Sequence, residues 1–338
     1  MKKHVTIVIP CLNEEKYIEK CLDSIVHCDY DKAFLQVCVC DGMSTDKTVA
    51  IIKTVEAKHS FIKLIENPAR STPKALNLGI LNSTSDIVII LGAHAEIDAA
   101  YVSNCVKEFQ RDEQIGCVGG IIDNIPENHT AAIISAAMSS SFGVGNAYFR
   151  TDEKDGYVDT VAFGAYRRDV FDKAGLFDEE LVRNQDDEFN YRLHQAGFKI
   201  FLSRSIRSKY YVRASFKKLF RQYFQYGYWK VYVNKKHGAI TTLRQMIPPL
   251  FCLFLYLGSI LCFVVPYFYA LFAAGLLLYL STGLYFAARK ANSLSMTIEV
   301  MYAFLILHIS YGTGYLEGIF RFLILGKKPH TSSMKLSR

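Results

Sequence analysis

The sequence predicts an α/β domain with a mainly parallel central sheet, followed by a basic interfacial helix and C-terminal transmembrane helices. Three observations predict it. Short β-branched runs alternate with amphipathic helical stretches from Val5 to Leu91. Polar loops follow the ends of those runs. Residues 246 to 288 carry no charged side chain. The chain has 338 residues, 51% hydrophobic and 21% charged, with net charge +7, which allows one large domain or two smaller ones.

Val5 to Ile9, ended by Pro10, reads as a buried strand. Asn13, Glu14 and Glu15 open a helix with the apolar face Ile18, Cys21, Leu22 and Ile25. Leu35 to Cys40 is a second strand, ending in Asp41-Gly42, with Ser44 or Thr45 placed to cap the next helix. A third strand at Ile62 to Glu66 leads through Pro68, Arg70 and Pro73 into a helix ending near Leu81. Ile87 to Leu91 is the fourth strand. Strand–helix alternation with short connections implies a parallel sheet covered on both faces. Ligands in such sheets bind beyond the carboxyl ends of the strands, where the loops after Ile9, Cys40 and Leu91 open. The nine cysteines lie mostly in apolar runs, and Cys38 and Cys40 alternate within a strand, as buried reduced thiols do. No apolar leader precedes the first strand, so no cleaved targeting peptide is expected.

Each loop carries polar groups that a core does not need. Asp41 follows a strand directly, where a carboxylate can accept hydrogen bonds from a base or ribose; a plain turn would use the same residues. His94, in Gly92-Ala93-His94-Ala95-Glu96, could ligate a divalent cation or simply face solvent. Asn184-Gln185-Asp186-Asp187-Glu188 places three carboxylates before an apolar-periodic run, with Arg192 one turn on. Acids there suit a helix dipole. One of them could also take a proton from an acceptor hydroxyl.

Val5-Thr6-Ile7-Val8-Ile9-Pro10-Cys11-Leu12-Asn13-Glu14, then Asp41-Gly42-x-Ser44-x-Asp46-x-Thr48, then the motif at His94, then Gln185-Asp186-x-Glu188-Phe189, resemble glycosyltransferase family 2 over about residues 4 to 235. The resemblance implies an inverting enzyme with the A-type nucleotide-diphosphate-sugar transferase fold. Gly92-Ala93-His94-Ala95, Phe163-Gly164-Ala165-Tyr166-Arg167-Arg168 and Arg221-Gln222-Tyr223-Phe224-x-Tyr226-Gly227 look like the bacterial exopolysaccharide glucosyltransferases of the succinoglycan type. By that resemblance Pro10, Asn13 and Glu14 would line the nucleoside pocket and Asp41 would bind the base, usually uracil. Asp46, Lys74 and Asn77 would support the nucleotide side. His94 stands at the last position of the usual Asp-x-Asp metal motif, implying Mg²⁺ or Mn²⁺. Asp186 would be the catalytic base, with Glu188 and Arg192 bracing its helix. Gly164, Ala165, Gln185, Asp187, Gln222, Gln225 and Trp229 fall on the acceptor side or in supporting positions. Three departures stand out: Gly92 replaces the first acid of the metal motif, Gln185 the usual Glu, and Tyr228 the Arg of the processive Gln-x-x-Arg-Trp motif.

Residues 204 to 244 carry eleven Lys or Arg and no Asp or Glu, interleaved with aromatics. That pattern suits nucleic acid or an interfacial helix on an anionic membrane. The apolar block directly after it favours the membrane and argues against nucleic acid. The expected division is a glycosyltransferase domain at 1–208, an interfacial segment at 209–245, a membrane domain at 246–326 and a tail at 327–338. Spans are expected at about 247–265 and 267–287, with 299–325 as a third candidate whose crossing is open. The basic cluster puts the catalytic domain on the cytoplasmic side of the plasma membrane.

The resulting expectation is inverting transfer of a hexose from a UDP-sugar to a polyprenyl-diphosphate-linked saccharide in surface polysaccharide assembly. A processive polysaccharide synthase and an inactive sugar-nucleotide-binding scaffold are the alternatives.

Overall fold

A computed structural model describes residues 2–329 apart from 153, 213, 214 and 242, so most of the expected tail lies outside the described residues. The chain divides into two compact units. One comprises Met1–Asn124 and Ala147–Tyr211; the other comprises Ile125–Asn146 and the chain from Val212 onward. The sequence division kept residues 125–146 with the first domain.

The sheet has nine strands: β1 (Val5–Cys11), β2 (Leu35–Asp41), β3 (Ile62–Glu66), β4 (Ile87–Ile90), β5 (Ala95–Ile97), β6 (Ile115–Ile125), β7 (Gly156–Val158), β8 (Ala165–Arg167) and β9 (Lys199–Tyr211). Their order is β3-β2-β1-β4-β8-β6-β9-β5, with β7 on β9. The first four strands pair in parallel, with Val5 beside Leu35 and Ile87, and Val37 beside Ile62. β8 runs antiparallel to β4, with Ile89 opposite Ala165.

Helices α1 (Ile18–Val26), α2 (Thr48–Glu56) and α4 (Tyr101–Glu108) cover one face. Helices α3 (Thr72–Leu81), α8 (Arg168–Ala174) and α9 (Gln185–Gln195) cover the other. The period of two along β1 explains the split: Ile7 and Ile9 enter the first core and Val8 the second. α1 buries Ile18, Cys21, Leu22 and Ile25, the stripe its spacing predicts. The eight described cysteines from Cys11 to Cys252 are buried free thiols.

Two expected helix starts differ. α1 begins at Ile18 because Asn13, with φ 53°, turns the chain and the Glu14 carbonyl accepts from the Tyr17 and Ile18 N–H groups. α2 begins at Thr48, whose N–H donates to Asp46 at 3.0 Å, while Ser44 is drawn back to Asp41.

The second unit contains α5 (His129–Met138), the single turn α6 (Ser141–Val144), α10 (Phe216–His237), α11 (Ile247–Val264), α12 (Phe268–Ala288) and α13 (Leu294–Gly318). The remaining turn, α7 (Tyr148–Thr151), belongs to the first unit. Among the described residues, three helical segments are long and apolar enough to cross a membrane: Leu243–Val264, Phe268–Ala288 and Leu294–Ile324. Pro266 and Tyr267 (φ 65°) break the first two apart. α13 is the most enclosed of the three. Its polar groups find partners within this unit. His308 Nε2 donates to the Phe142 carbonyl at 2.8 Å and Nδ1 meets the Tyr279 hydroxyl at 2.8 Å. Glu317 pairs with Arg321 at 3.3 Å.

Candidate active site

The end of β1 and the end of β2 are laced together by side chains that bond to backbone. The Gly42 N–H donates to the Cys11 carbonyl at 2.7 Å. Asn13 N–H donates to Ser44 Oγ at 2.8 Å, and Asn13 Oδ1 accepts from Thr45 N–H at 2.8 Å. Asp41, 3% exposed, takes the Ser44 N–H at 2.8 Å and its hydroxyl. Asp46 accepts from the N–H groups of Thr48 and Glu15. Asn13, Met43 and Arg70 all have left-handed φ. Non-glycine residues in that region cost of order 1 kcal/mol or more, and such positions cluster at ligand-binding loops.

Sequence-named residues therefore divide. Asn13, Asp41 and Asp46 hold two loops at the carboxyl edge in one fixed shape. Lys74 is exposed in the first turn of α3. Asn77, one turn on, is buried, and its amide bonds Phe177 and Glu179. Pro10 continues β1 beside Cys40.

His94 lies in the short loop between β4 and β5, immediately before Ala95. Its Nδ1 lies 3.4 Å from Glu14 Oε1. The Tyr210 ring meets the imidazole edge-on at 5.0 Å, and Arg150 lies over Tyr210. Tyr210 and Tyr211 sit on β9, although the aromatic basic run suggested the interfacial segment. Their signal was the strand-like stretch from Lys199, masked by the charge count. Phe163 is the other residue that spacing alone did not single out. It precedes β8, where Ile90 N–H donates to the Gly164 carbonyl at 2.9 Å, so the loops bearing Phe163 and His94 leave the same sheet edge. Gly164 lies against Cys117 and Tyr166, and Ala165 is buried in the seam with β4.

Asp186 is in the first turn of α9 and is exposed, whereas Asp187 is half-buried and Glu188 is 2% exposed. Asp186 Oδ1 accepts the Asp187 N–H at 2.9 Å. The buried Tyr166 hydroxyl is pushed well above its ordinary pKa, first by burial and then by nearby negative charge that includes Asp186. Tyr166 pairs with Val88 of β4, and its ring meets Phe189 of α9 at 5.4 Å between centroids, so α9 packs against the strand beside β4. Arg192 grips both Glu188 oxygens at 2.7 and 2.8 Å and bonds the Ala174 and Leu176 carbonyls. Gln185 Oε1 is buried without a hydrogen-bond partner among the described residues. Gln222, Gln225 and Trp229 are buried in α10 of the second unit.

The profile of glycosyl transferase family 2 matches residues 6–175. This chain belongs to glycosyltransferase family 2. A Methanococcus voltae protein named dolichyl N-acetyl-alpha-D-glucosaminyl phosphate 3-beta-D-2,3-diacetamido-2,3-dideoxy-beta-D-glucuronosyltransferase is 38% identical over 66% of this chain and 71% of its own. The succinoglycan biosynthesis protein ExoA of Rhizobium meliloti is 29% identical over 72% of this chain and 73% of its own. Among solved structures, a Pyrobaculum calidifontis mannosyltransferase in complex with GDP-Man and Mn²⁺ superposes with TM-score 0.61 at 18% identity. The match covers 91% of this chain and 87% of that one. The family's A-type fold, a mainly parallel α/β sheet followed by long apolar helices, is thus present here.

Among the described residues, no three His, Cys, Asp or Glu side chains gather as a metal cage. The donor set fits a different arrangement. Mg²⁺ and Mn²⁺ sites commonly take one or two protein ligands and fill the rest with phosphate oxygens and water. His94 suits that role: its side chain is 25% exposed, Nδ1 faces a carboxylate, and Nε2 has no protein hydrogen-bond partner among the described residues.

Proposed function

We propose that this family 2 enzyme is an inverting, membrane-anchored hexosyltransferase. It moves one hexose from a UDP-sugar to a polyprenyl-diphosphate-linked saccharide in surface polysaccharide assembly. The observation that carries the reading is the exposed Asp186, set on a helix whose neighbouring acid, Glu188, is buried in an ion pair with Arg192. Of the three first-turn carboxylates, Asp186 is exposed, while Glu188 is buried and anchors the turn.

The diphosphate side rests on the interlaced loops. Asp41 and the Asn13–Thr45 bonds hold the nucleoside-facing edge, and Lys74 adds a cation there. His94 would hold Mg²⁺ or Mn²⁺, which when bound neutralises charge growing on the departing diphosphate. Asp186 accepts the acceptor hydroxyl's proton as that oxygen attacks the anomeric carbon from the face opposite the diphosphate. A positioned carboxylate typically contributes about 10²–10⁴-fold. One base and one attack give inversion. The fixed loops keep the two reactants in line.

The three apolar helices and the basic face of α10 support a membrane location with the catalytic unit cytoplasmic. The M. voltae relative's name contains a dolichyl phosphate acceptor, which supports a lipid-linked acceptor here.

The test is a screen of nucleotide sugars against membrane-embedded full-length protein with Mn²⁺ and polyprenyl-diphosphate saccharides, read by UDP release and product mass. One added hexose from a UDP donor is the expected result. Release of GDP alone, or of no nucleotide, would remove the proposal.

A further inference from the structure

Gly92 stands where the family's metal motif usually has an acid, and the ring edge of Phe163 and a carboxylate from another loop stand nearby. A Cβ on Gly92 would lie 3.0 Å from Phe163 Cε1 and 3.4 Å from its Cζ. The Phe163 backbone is fixed: its φ is 51°, and its carbonyl accepts the hydroxyl of Tyr101, a residue 1% exposed, at 2.6 Å. A side chain on residue 92 would therefore crowd the edge of the Phe163 ring.

A carboxylate nevertheless reaches the same imidazole from another loop. Glu14 follows β1, and its side chain is 9% exposed with Oε1 at 3.4 Å from His94 Nδ1. Its backbone is tied at both ends: the N–H donates to Thr48 Oγ1 at 2.8 Å, and the carbonyl accepts from Tyr17 and Ile18 N–H groups at 2.9 Å. The Tyr210 ring closes another side of the imidazole. Histidines that bind metals usually present their second ring nitrogen to a carboxylate or carbonyl. That partner fixes the tautomer and ring orientation and raises ligand basicity.

We propose that Glu14 is a positioning residue for the metal site, holding His94 through Nδ1 so that Nε2 serves the metal, and that it supplies from the β1 loop a carboxylate beside this site where position 92 carries none. The inference rests on the metal-dependent reading above. It assigns Glu14 a place beside the metal rather than in the nucleoside pocket.

The test is Mn²⁺ titration of full-length protein in nanodiscs with UDP present, read from the free-Mn²⁺ paramagnetic resonance signal. Glu14→Gln should weaken Mn²⁺ by about 10- to 100-fold, the usual cost of losing such an outer partner. His94→Asp puts a carboxylate where the imidazole was, so in that background Glu14→Gln should cost nothing or tighten binding. Equal losses in both backgrounds would reduce Glu14 to a structural part and overturn the proposal. So would undiminished Mn²⁺ affinity in Glu14→Gln or in His94→Ala. The hexosyltransferase reading is judged separately, by UDP release from the wild-type chain, and stands or falls without these variants.

Discussion

Asn77 grips both backbone polar groups of Phe177: Nδ2 donates to the carbonyl and Oδ1 accepts the N–H, each at 2.9 Å. The same Nδ2 donates to Glu179 Oε1 at 3.0 Å. Both residues are buried, so this clamp ties α3 to the segment that leads into α9. Asn77→Leu would keep the volume and strand two buried backbone groups. Each such group costs about 1–3 kcal/mol. The expected outcome is a lowered unfolding midpoint together with a fall in kcat larger than the change in KM for donor, because Asp186 lies just downstream.

Glu188 and Arg192 form the second anchor of α9. Removing one partner of a buried ion pair leaves the other charge uncompensated, at about 3–5 kcal/mol. Glu188→Gln is expected near the lower end, since Arg192 keeps partial contact with solvent. Arg192→Lys retains charge but loses the two-point fork and the carbonyl bonds, and about 2 kcal/mol is expected from hydrogen bonds to a charged donor. Thermal unfolding of the purified chain measures both. Equal midpoints for wild type and Arg192→Lys would contradict the clamp.

The strands and helices of the sheet were legible because each carries its own signal. Ile7, Val8 and Ile9 alternate between two cores, and Ile18, Cys21, Leu22 and Ile25 repeat at helical spacing. Periodicity reports that a face is buried and not what covers it. The Glu14–His94 approach therefore stayed invisible, since the loops meet only after β1 and β4 pair. Tyr210 was hidden differently: a count of basic and aromatic residues has no register, and β9 extends into the stretch that the count marked as interfacial. Asn77 carried a resemblance to a nucleotide-side residue, yet its amide is consumed by Phe177, a partner set by tertiary packing.

Asp186 and Asp187 are adjacent on α9 and project in different directions, because successive helical residues are rotated by about 100°. Asp186 is exposed and Asp187 half-buried. Asp186→Asn is expected to lower turnover by about 10²–10⁴-fold while UDP-sugar affinity is retained. Asp187→Asn should leave most turnover intact. Single-turnover product formation and donor binding by calorimetry check the pair. Loss of turnover in Asp187→Asn alone would move the base by one residue.

Helices α10 and α13 meet at glycines. A Cβ on Gly227 would lie 2.0 Å from the Tyr311 carbonyl oxygen, and one on Gly314 2.1 Å from that of Phe224. No side chain rotation relieves a clash with backbone, so the helices must separate. Small residues that permit such close approach hold helices together in membranes. Gly227→Ala is expected to cost about 1–3 kcal/mol by overpacking. Gly238→Ala, at a left-handed helix end with open space around it, should cost about 1 kcal/mol from backbone strain alone. Unfolding midpoints in detergent should rank Gly227→Ala below Gly238→Ala.

The loop lacing after β1 and β2 has a pH signature. Burial acts to raise the Asp46 carboxyl, but hydrogen bonds from the Thr48 hydroxyl and N–H and from the Glu15 N–H prevail, so it titrates below the ordinary carboxylate value. A depressed folded pKa means that the unfolded chain takes up the proton first as pH falls. The stabilisation is then complete above the unfolded value, about 3.9, and disappears as pH drops through the folded one. Asp46→Ala removes the acceptor for the first N–H of α2, which typically costs about 1 kcal/mol. The gap in unfolding midpoint between wild type and Asp46→Ala should therefore stay constant from about pH 5 to 8 and close below about pH 4. A gap that widens in acid, or that closes between neutral pH and pH 5, would mean that Asp46 is not held in its charged form by these bonds.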